Sequence, residues 1–324
     1  MKFITALVIA GLILIILILP AGMPSQAQAS TITFAVIGDY GRNNTPELNV
    51  ANMVTSWNPD FILATGDDYY SAAGGSGTGK YDLSTGKYYC RFLKDAAAGA
   101  NCAVSGMDPA TNRFFPSLGN HDYSDTGGVS VYLSYFTLPG AGFSNSSGNE
   151  RYYDFIWGPV HFFAINSNSA DPSGNSSTSA QAVWLRDRLA ASTTPWQVVF
   201  LHHPPYSSGN HGSAKTMQWP FADWGADVVL SGHDHDYERI VRDGIVYFVD
   251  GTGGASLRAF KTPVTGSEFR YSANYGAMRI IASSTALDFE FLSIDGGGTL
   301  RDSYHLQSET PIIFRYFYPL ITNQ

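Results

Sequence analysis

The sequence predicts an α/β fold in which two mixed β-sheets pack face to face with helices outside, all in one domain. Three observations lead there. Apolar, β-branched runs recur and repeatedly end in a short polar tip. Helix-like segments alternate with these runs in the first part of the chain, and strands dominate later. No internal repeat or low-complexity linker divides the 324 residues.

In order, "TITFAVIGD" and "DFILATGD" read as buried strands that end in Gly-Asp. Between them, residues 46–57 have helical spacing and open with Pro46 and Glu47. A long polar, Gly-rich excursion fills 71–113, and "NRFFPSLGNHD" is a third strand-like run. "RYYDFIWGPVHFFAINS" reads as a hairpin turning at Gly158-Pro159. "SAQAVWLRDRLAAS" predicts an amphipathic helix with Val183, Leu185 and Leu189 on its apolar side. "WQVVFLHH" and "ADVVLSGHDH" are further buried strands, followed by four strand-like runs between 238 and 306. His161 and His305 read as ordinary strand residues, and "DGTGGA" (250–255) as a tight turn near the strand tips.

The two ends stand apart. Residues 1–29 carry Lys2, an unbroken apolar run and an A-x-A pair at Ala27 and Ala29, the pattern of a cleaved export signal. The run is long for a signal and could nearly span a bilayer, so a retained membrane anchor through residues 4–20 is the alternative to cleavage; either exports the rest of the chain. The expected location is secreted, periplasmic or at the extracellular surface. In such an oxidising compartment Cys90 and Cys102 are expected to close a short loop, worth roughly 3 kcal/mol. The catalytic domain is expected over 30–308, with an apolar, Pro-punctuated tail over 309–324. A net charge of −8 argues against nucleic-acid or acidic-lipid partners.

The strand tips concentrate the chemistry: "GDYG" (38–41), "GDDYY" (66–70), "GNHD" (119–122), "FLHH" (200–203) and "GHDH" (232–235). Six of the eight histidines fall in or just after these tips. Singly, each tip reads as a turn or a cap; five in one order do not. Loops at the carboxyl ends of strands are where α/β proteins build sites. The candidate ligands Asp39, Asp67, Tyr70, Asn120, His202, His233 and His235 suit first-row metals rather than soft ones. Seven exceed the needs of one ion, whereas two ions sharing Asp67 would use them all.

This ordered set resembles the purple acid phosphatases, in the short tartrate-resistant form, within the calcineurin-like metallophosphoesterases. The resemblance spans 38–235 and implies a four-layer αββα sandwich. It implies that Asp39, Tyr70 and His235 bind Fe(III), that Asp67 bridges, and that Asn120, His202 and His233 bind a second divalent ion (Fe, Zn or Mn). It further implies that His121 faces the phosphate and His211 is the leaving-group acid. His203 is either a third phosphate contact or a polar neighbour. The implied activity is hydrolysis of small phosphate monoesters by a metal-bound hydroxide, with a monomer and no nucleic-acid partner expected. A diesterase or nucleotide hydrolase with two divalent ions, and a non-catalytic binding protein, are the competing readings.

Tyr70 is the departure from the wider superfamily, whose first motif carries a histidine where this chain has Gly41. A hard phenolate suits a hard trivalent ion, which in turn acidifies bound water. Asp68 is an added carboxylate, expected either to act on the metals or to face solvent as a turn residue.

Overall fold

The computed structural model describes residues 31–94, 109–125 and 127–308. The proposed leader, Cys102 and the 309–324 tail lie outside them. Six strands form one sheet, in the order β13-β12-β11-β1-β2-β3, where β1 is Ile32–Ile37, β2 Phe61–Ala64, β3 Phe114–Pro116, β11 Gly276–Ala282, β12 Ala286–Ser293 and β13 Thr299–Gln307. Seven form the other, in the order β10-β8-β9-β7-β6-β5-β4. These are β4 Tyr153–Trp157, β5 Val160–Ala164, β6 Trp196–Phe200, β7 Val228–Ser231, β8 Tyr237–Arg242, β9 Ile245–Asp250 and β10 Ser267–Tyr271. Both sheets are mixed. β1, β2 and β3 run parallel in the first, and β5, β6, β7 and β9 in the second.

Aromatic side chains fill the space between the sheets. Phe34 of β1 stacks on Phe61 of β2 at 5.0 Å, and Phe61 meets Phe162 of β5 edge-on at 5.2 Å. Phe115 of β3 lies 3.8 Å from Phe155 of β4. The next residue along β5, Phe163, faces outward onto helix 180–190 with Val199 and Val229. Burial on both faces explains why these strands read as continuous apolar runs rather than alternating ones.

Helix α1 (Thr45–Ser56) covers the first sheet, with the Asn44 side chain accepting from the Glu47 amide at 3.0 Å as its N-cap. Two short helices, α2 (Asn120–Ser124) and α3 (Gly128–Tyr135), follow β3, and only α2 overlaps an expected feature. Helix α4 (Ala180–Ala190) covers the second sheet through Ala182, Leu185 and Leu189. Val183 corrects the expected apolar side: it is 40% exposed, because it lies about 160° around the helix from Leu185. The first part of the long excursion is also more ordered than its composition implied. Residues 71–92 form short helical turns that bury Tyr81, Tyr88, Tyr89 and Phe92. Cys90 there is disulfide-bonded.

Away from the strand tips, edge strand β4 carries Asp154, which accepts from His161 at 2.8 Å and from Arg188 at 2.7 Å. Burial alone would raise the Asp154 carboxyl; the bonds from His161, Ser146 and Arg188 outweigh it and hold it below its ordinary range. A depressed carboxyl stabilises the fold above its unfolded pKa of about 3.9 and loses that contribution as pH falls through the folded value. Asp154→Asn is therefore expected to lower unfolding stability by about 1–3 kcal/mol near neutral pH. The gap to the unsubstituted protein should shrink below about pH 4, measured by urea titration across pH.

Candidate metal centre

The parallel strands of both sheets point their carboxyl ends at one cleft, and the backbone turns sharply there. Asp39, Asp67 and His233 all have left-handed backbones, with φ of 55°, 53° and 70°. Such conformations are uncommon for non-glycine residues and mark chain held in place by its surroundings. The tips lock one another. The Asp39 amide donates to the Gly66 carbonyl at 3.1 Å, and Tyr70 N donates to Gly41 O at 2.8 Å. His233 N reaches Asp39 Oδ2 across the two sheets at 2.7 Å. The "DGTGGA" turn passes beneath, where Ala255 N donates to Asp39 O at 2.8 Å.

Two clusters of donor atoms result. In one, the Tyr70 hydroxyl is 3.0 Å from Asp39 Oδ1 and 3.3 Å from His235 Nε2. In the other, His202 Nε2 is 3.1 Å from Asn120 Oδ1, 3.2 Å from His233 Nδ1 and 3.4 Å from Asp67 Oδ1. Ligand atoms of Asp39, Asp67 and His202 lie within 4.8 Å of one another, so Asp67 stands between the clusters. All seven predicted ligands are thus brought together.

Outer bonds fix the imidazoles. His202 Nδ1 faces the Thr65 carbonyl at 2.8 Å and His235 Nδ1 the Ser256 carbonyl at 2.9 Å, which leaves each Nε2 free to ligate. Burial pushes His202 and His233 well below their ordinary pKa, keeping them neutral. Burial, followed by the charge of Asp39, pushes Asp67 and Tyr70 well up. Hard oxygen donors that ionise together only beside a cation, joined to neutral imidazoles, fit a pair of first-row metal ions.

The three other predicted histidines surround this centre. His121 donates its backbone N–H to Asp67 Oδ1 at 2.9 Å, and its ring lies 4.3 Å from that of Tyr70. His211 is exposed, with its ring 4.3 Å from His233. His203 holds Ser167 Oγ at 2.8 Å through Nδ1 and sits 4.4 Å from the His233 ring; it does not line the cleft of about 240 Å³ that exposes the centre. Asp68 corrects the solvent-facing reading: it is fully buried, and burial, then Asp122, raises its carboxyl well above the usual range.

Other residues were missed. Asp122 accepts from Gly119 N at 2.8 Å and from the Tyr81 hydroxyl at 3.0 Å, so it pins the third tip. Asp234 accepts from the amides of His211 and Gly212 and from Ser207 Oγ, fixing the loop that carries His211. Both were visible as the acidic residues of "GNHD" and "GHDH" but had no assigned role. Arg42 and Arg258 line the cleft, and neither stands in a motif.

A family model for calcineurin-like phosphoesterases matches residues 32–237, which include every strand tip described above. The chain belongs to that family. Relatives of this chain include purple acid phosphatase 15 of Arabidopsis thaliana, 27% identical over 73% of this chain and 47% of the relative. Another is tartrate-resistant acid phosphatase type 5 of Rattus norvegicus, 26% identical over 74% of this chain and 77% of the relative. The chain spans about half the length of the first of these. Among solved structures, a purple acid phosphatase from yellow lupin (Lupinus luteus) seeds superposes with a TM-score of 0.67 at 18% identity, over 86% of this chain and 54% of that one. GAP50, the anchor in the inner membrane complex of Plasmodium, superposes with 0.65 at 17%, over 86% and 90%. At these identities the superpositions establish the fold: two mixed sheets with helices outside.

One glycine of the centre is fixed by space. A Cβ on Gly119 would lie 2.2 Å from both the amide nitrogen and Oδ1 of Asp67. Gly119→Ala must therefore displace Asp67 or Asn120. The expected result is a folded protein that retains less than its full complement of metal, read by elemental analysis after desalting.

Proposed function

We propose that this phosphoesterase is an exported acid phosphatase that hydrolyses small phosphate monoesters at an Fe(III)–M(II) centre. The observation that carries the proposal is Tyr70, whose hydroxyl meets Asp39 and His235 inside the cleft instead of facing solvent. Asp39, Tyr70 and His235 would hold the ferric ion, Asn120, His202 and His233 the divalent one, and Asp67 both. Bound there, the ions would supply Lewis-acid charge and a water acidified enough to attack at low pH.

The chain's own residues do the rest. His121 lines the cleft beside Tyr70 and donates to the oxygens of the transferred phosphoryl group as their charge grows. His211, exposed at the cleft and steadied by Asp234, gives its proton to the departing alkoxide. His203, held by Ser167, keeps the His233 ring in place from behind the cleft. Export is supported by disulfide-bonded Cys90, since such bonds persist in oxidising compartments.

Purified, air-oxidised protein is expected to contain iron and to show a visible phenolate-to-iron charge-transfer band that Tyr70→Phe abolishes. A colourless protein with two divalent ions would refute the ferric assignment and favour the diesterase reading.

His211→Ala should slow alkyl phosphates by about 10²–10⁴-fold, the usual contribution of a positioned acid, and aryl phosphates with good leaving groups much less. Steady-state rates on the two substrate classes check this, and equal losses on both would remove His211 from that role.

A further inference from the structure

The cleft holds more positive charge than the proposed reaction uses. Arg42 follows the first strand tip, and its guanidinium carbon lies 5.2 Å from the centre of the Tyr70 ring. Arg258 stands in the loop after β9, where its backbone N–H donates to the His235 carbonyl at 3.0 Å. Both residues line the cleft.

Among the described residues no carboxylate forms an ion pair with Arg42 or Arg258, whereas Arg151, Arg188, Arg239, Arg279 and Arg301 each grip one at 2.6–2.9 Å. Arg258 Nη1 has a neutral partner at the rim, Asn210 Oδ1, at 3.3 Å. Lys261 bonds the carbonyl of that same Asn210 and brings a third positive charge to this wall.

The transferred phosphoryl group already has His121, His211 and the ligand cluster around it. A monoester with a neutral leaving group offers the two arginines only the phosphoryl group that these residues already surround. A guanidinium presents a planar fork that fits carboxylate or phosphate oxygens in pairs.

We propose that Arg42 and Arg258 form a second anion subsite, and that the protein prefers phosphate monoesters whose leaving group carries a further phosphate or carboxylate. The inference rests on the phosphatase reading and names its substrate class. The reaction balances as ordinary hydrolysis. A water oxygen bonds to phosphorus, the bond from phosphorus to the ester oxygen breaks, and that oxygen takes a proton from His211. The released alcohol retains its second anion.

The test compares propyl phosphate, 4-(phosphonooxy)butanoate and propane-1,3-diyl bisphosphate, whose leaving alcohols are similar, on the metal-containing protein. The two anion-bearing substrates should show kcat/KM about 10–100-fold above propyl phosphate, the range for charge-assisted hydrogen bonds. Which of the two leads identifies the preferred anion. Arg42→Gln and Arg258→Gln should each reduce that ratio by about tenfold. A ratio near one in the unsubstituted protein, with propyl phosphate still hydrolysed, overturns the subsite and leaves the phosphatase reading intact. Equal proportional losses on all three substrates would instead put both arginines on the transferred phosphoryl group and also overturn the subsite. Failure to hydrolyse any of the three, or phenyl phosphate, overturns both readings together.

Discussion

The co-burial of Asp39, Asp67 and Tyr70 is the constraint on which the rest of this structure depends. All three are at most 3% exposed and converge on one cleft. Burial raises Asp39 too, but the bond and the charge of His235 outweigh it, so this carboxyl stays ionised. Its charge then helps burial to hold protons on Asp67 and Tyr70. Two like charges about 4 Å apart cost about 4 kcal/mol even at an effective dielectric of 20, so three anions do not share this space unaided. Cations relieve the conflict and release those protons, which makes metal uptake oppose acid.

A second ring of carboxylates positions the first. In "GNHD" and "GHDH" the aspartates lie next to candidate ligands or to His121, yet their side chains turn back into the protein. Asp122 ties the third tip to Tyr81 in the 71–92 excursion. Asp234 gathers the loop of Ser207, His211 and Gly212. The backbone there is crowded: a Cβ on Gly209 would lie 2.3 Å from Asp234 Cγ. The excursion and the His211 loop are thereby part of the site's frame, although neither contributes a candidate ligand.

How much of this was legible follows from the kind of signal each feature leaves. The parallel strands were readable because burial on both faces leaves unbroken apolar runs, and the seven candidate ligands because they stand at the ends of those runs. Strand β10, by contrast, is half-exposed with charged residues at alternate positions, and helix α3 is short and lacks a side-chain cap. The tyrosines of 71–92 were hidden by surrounding glycine and serine, which composition reads as loop. Val183 shows that apolar character alone does not place a helical residue, since its angle around the helix turns it to solvent. Arg42 and Arg258 left no local pattern, for their partnership exists only where two distant loops meet around a cleft.

The strained backbone at Asp39, Asp67 and His233 shows what the fold gives up for this arrangement. Glycine would relieve each turn, but it has no donor atom to offer the cleft. A left-handed L-residue costs roughly 1–2 kcal/mol, so three of them cost about 3–6 kcal/mol. Against a typical net stability of 5–15 kcal/mol that is a large share. The strain is held by bonds that close only when both sheets are in place, such as His233 N to Asp39 Oδ2. The centre is therefore a product of the sheet-to-sheet packing. Loosening the aromatic layer between Phe34, Phe61 and Phe162 would relax these turns before it unfolded the strands that carry them.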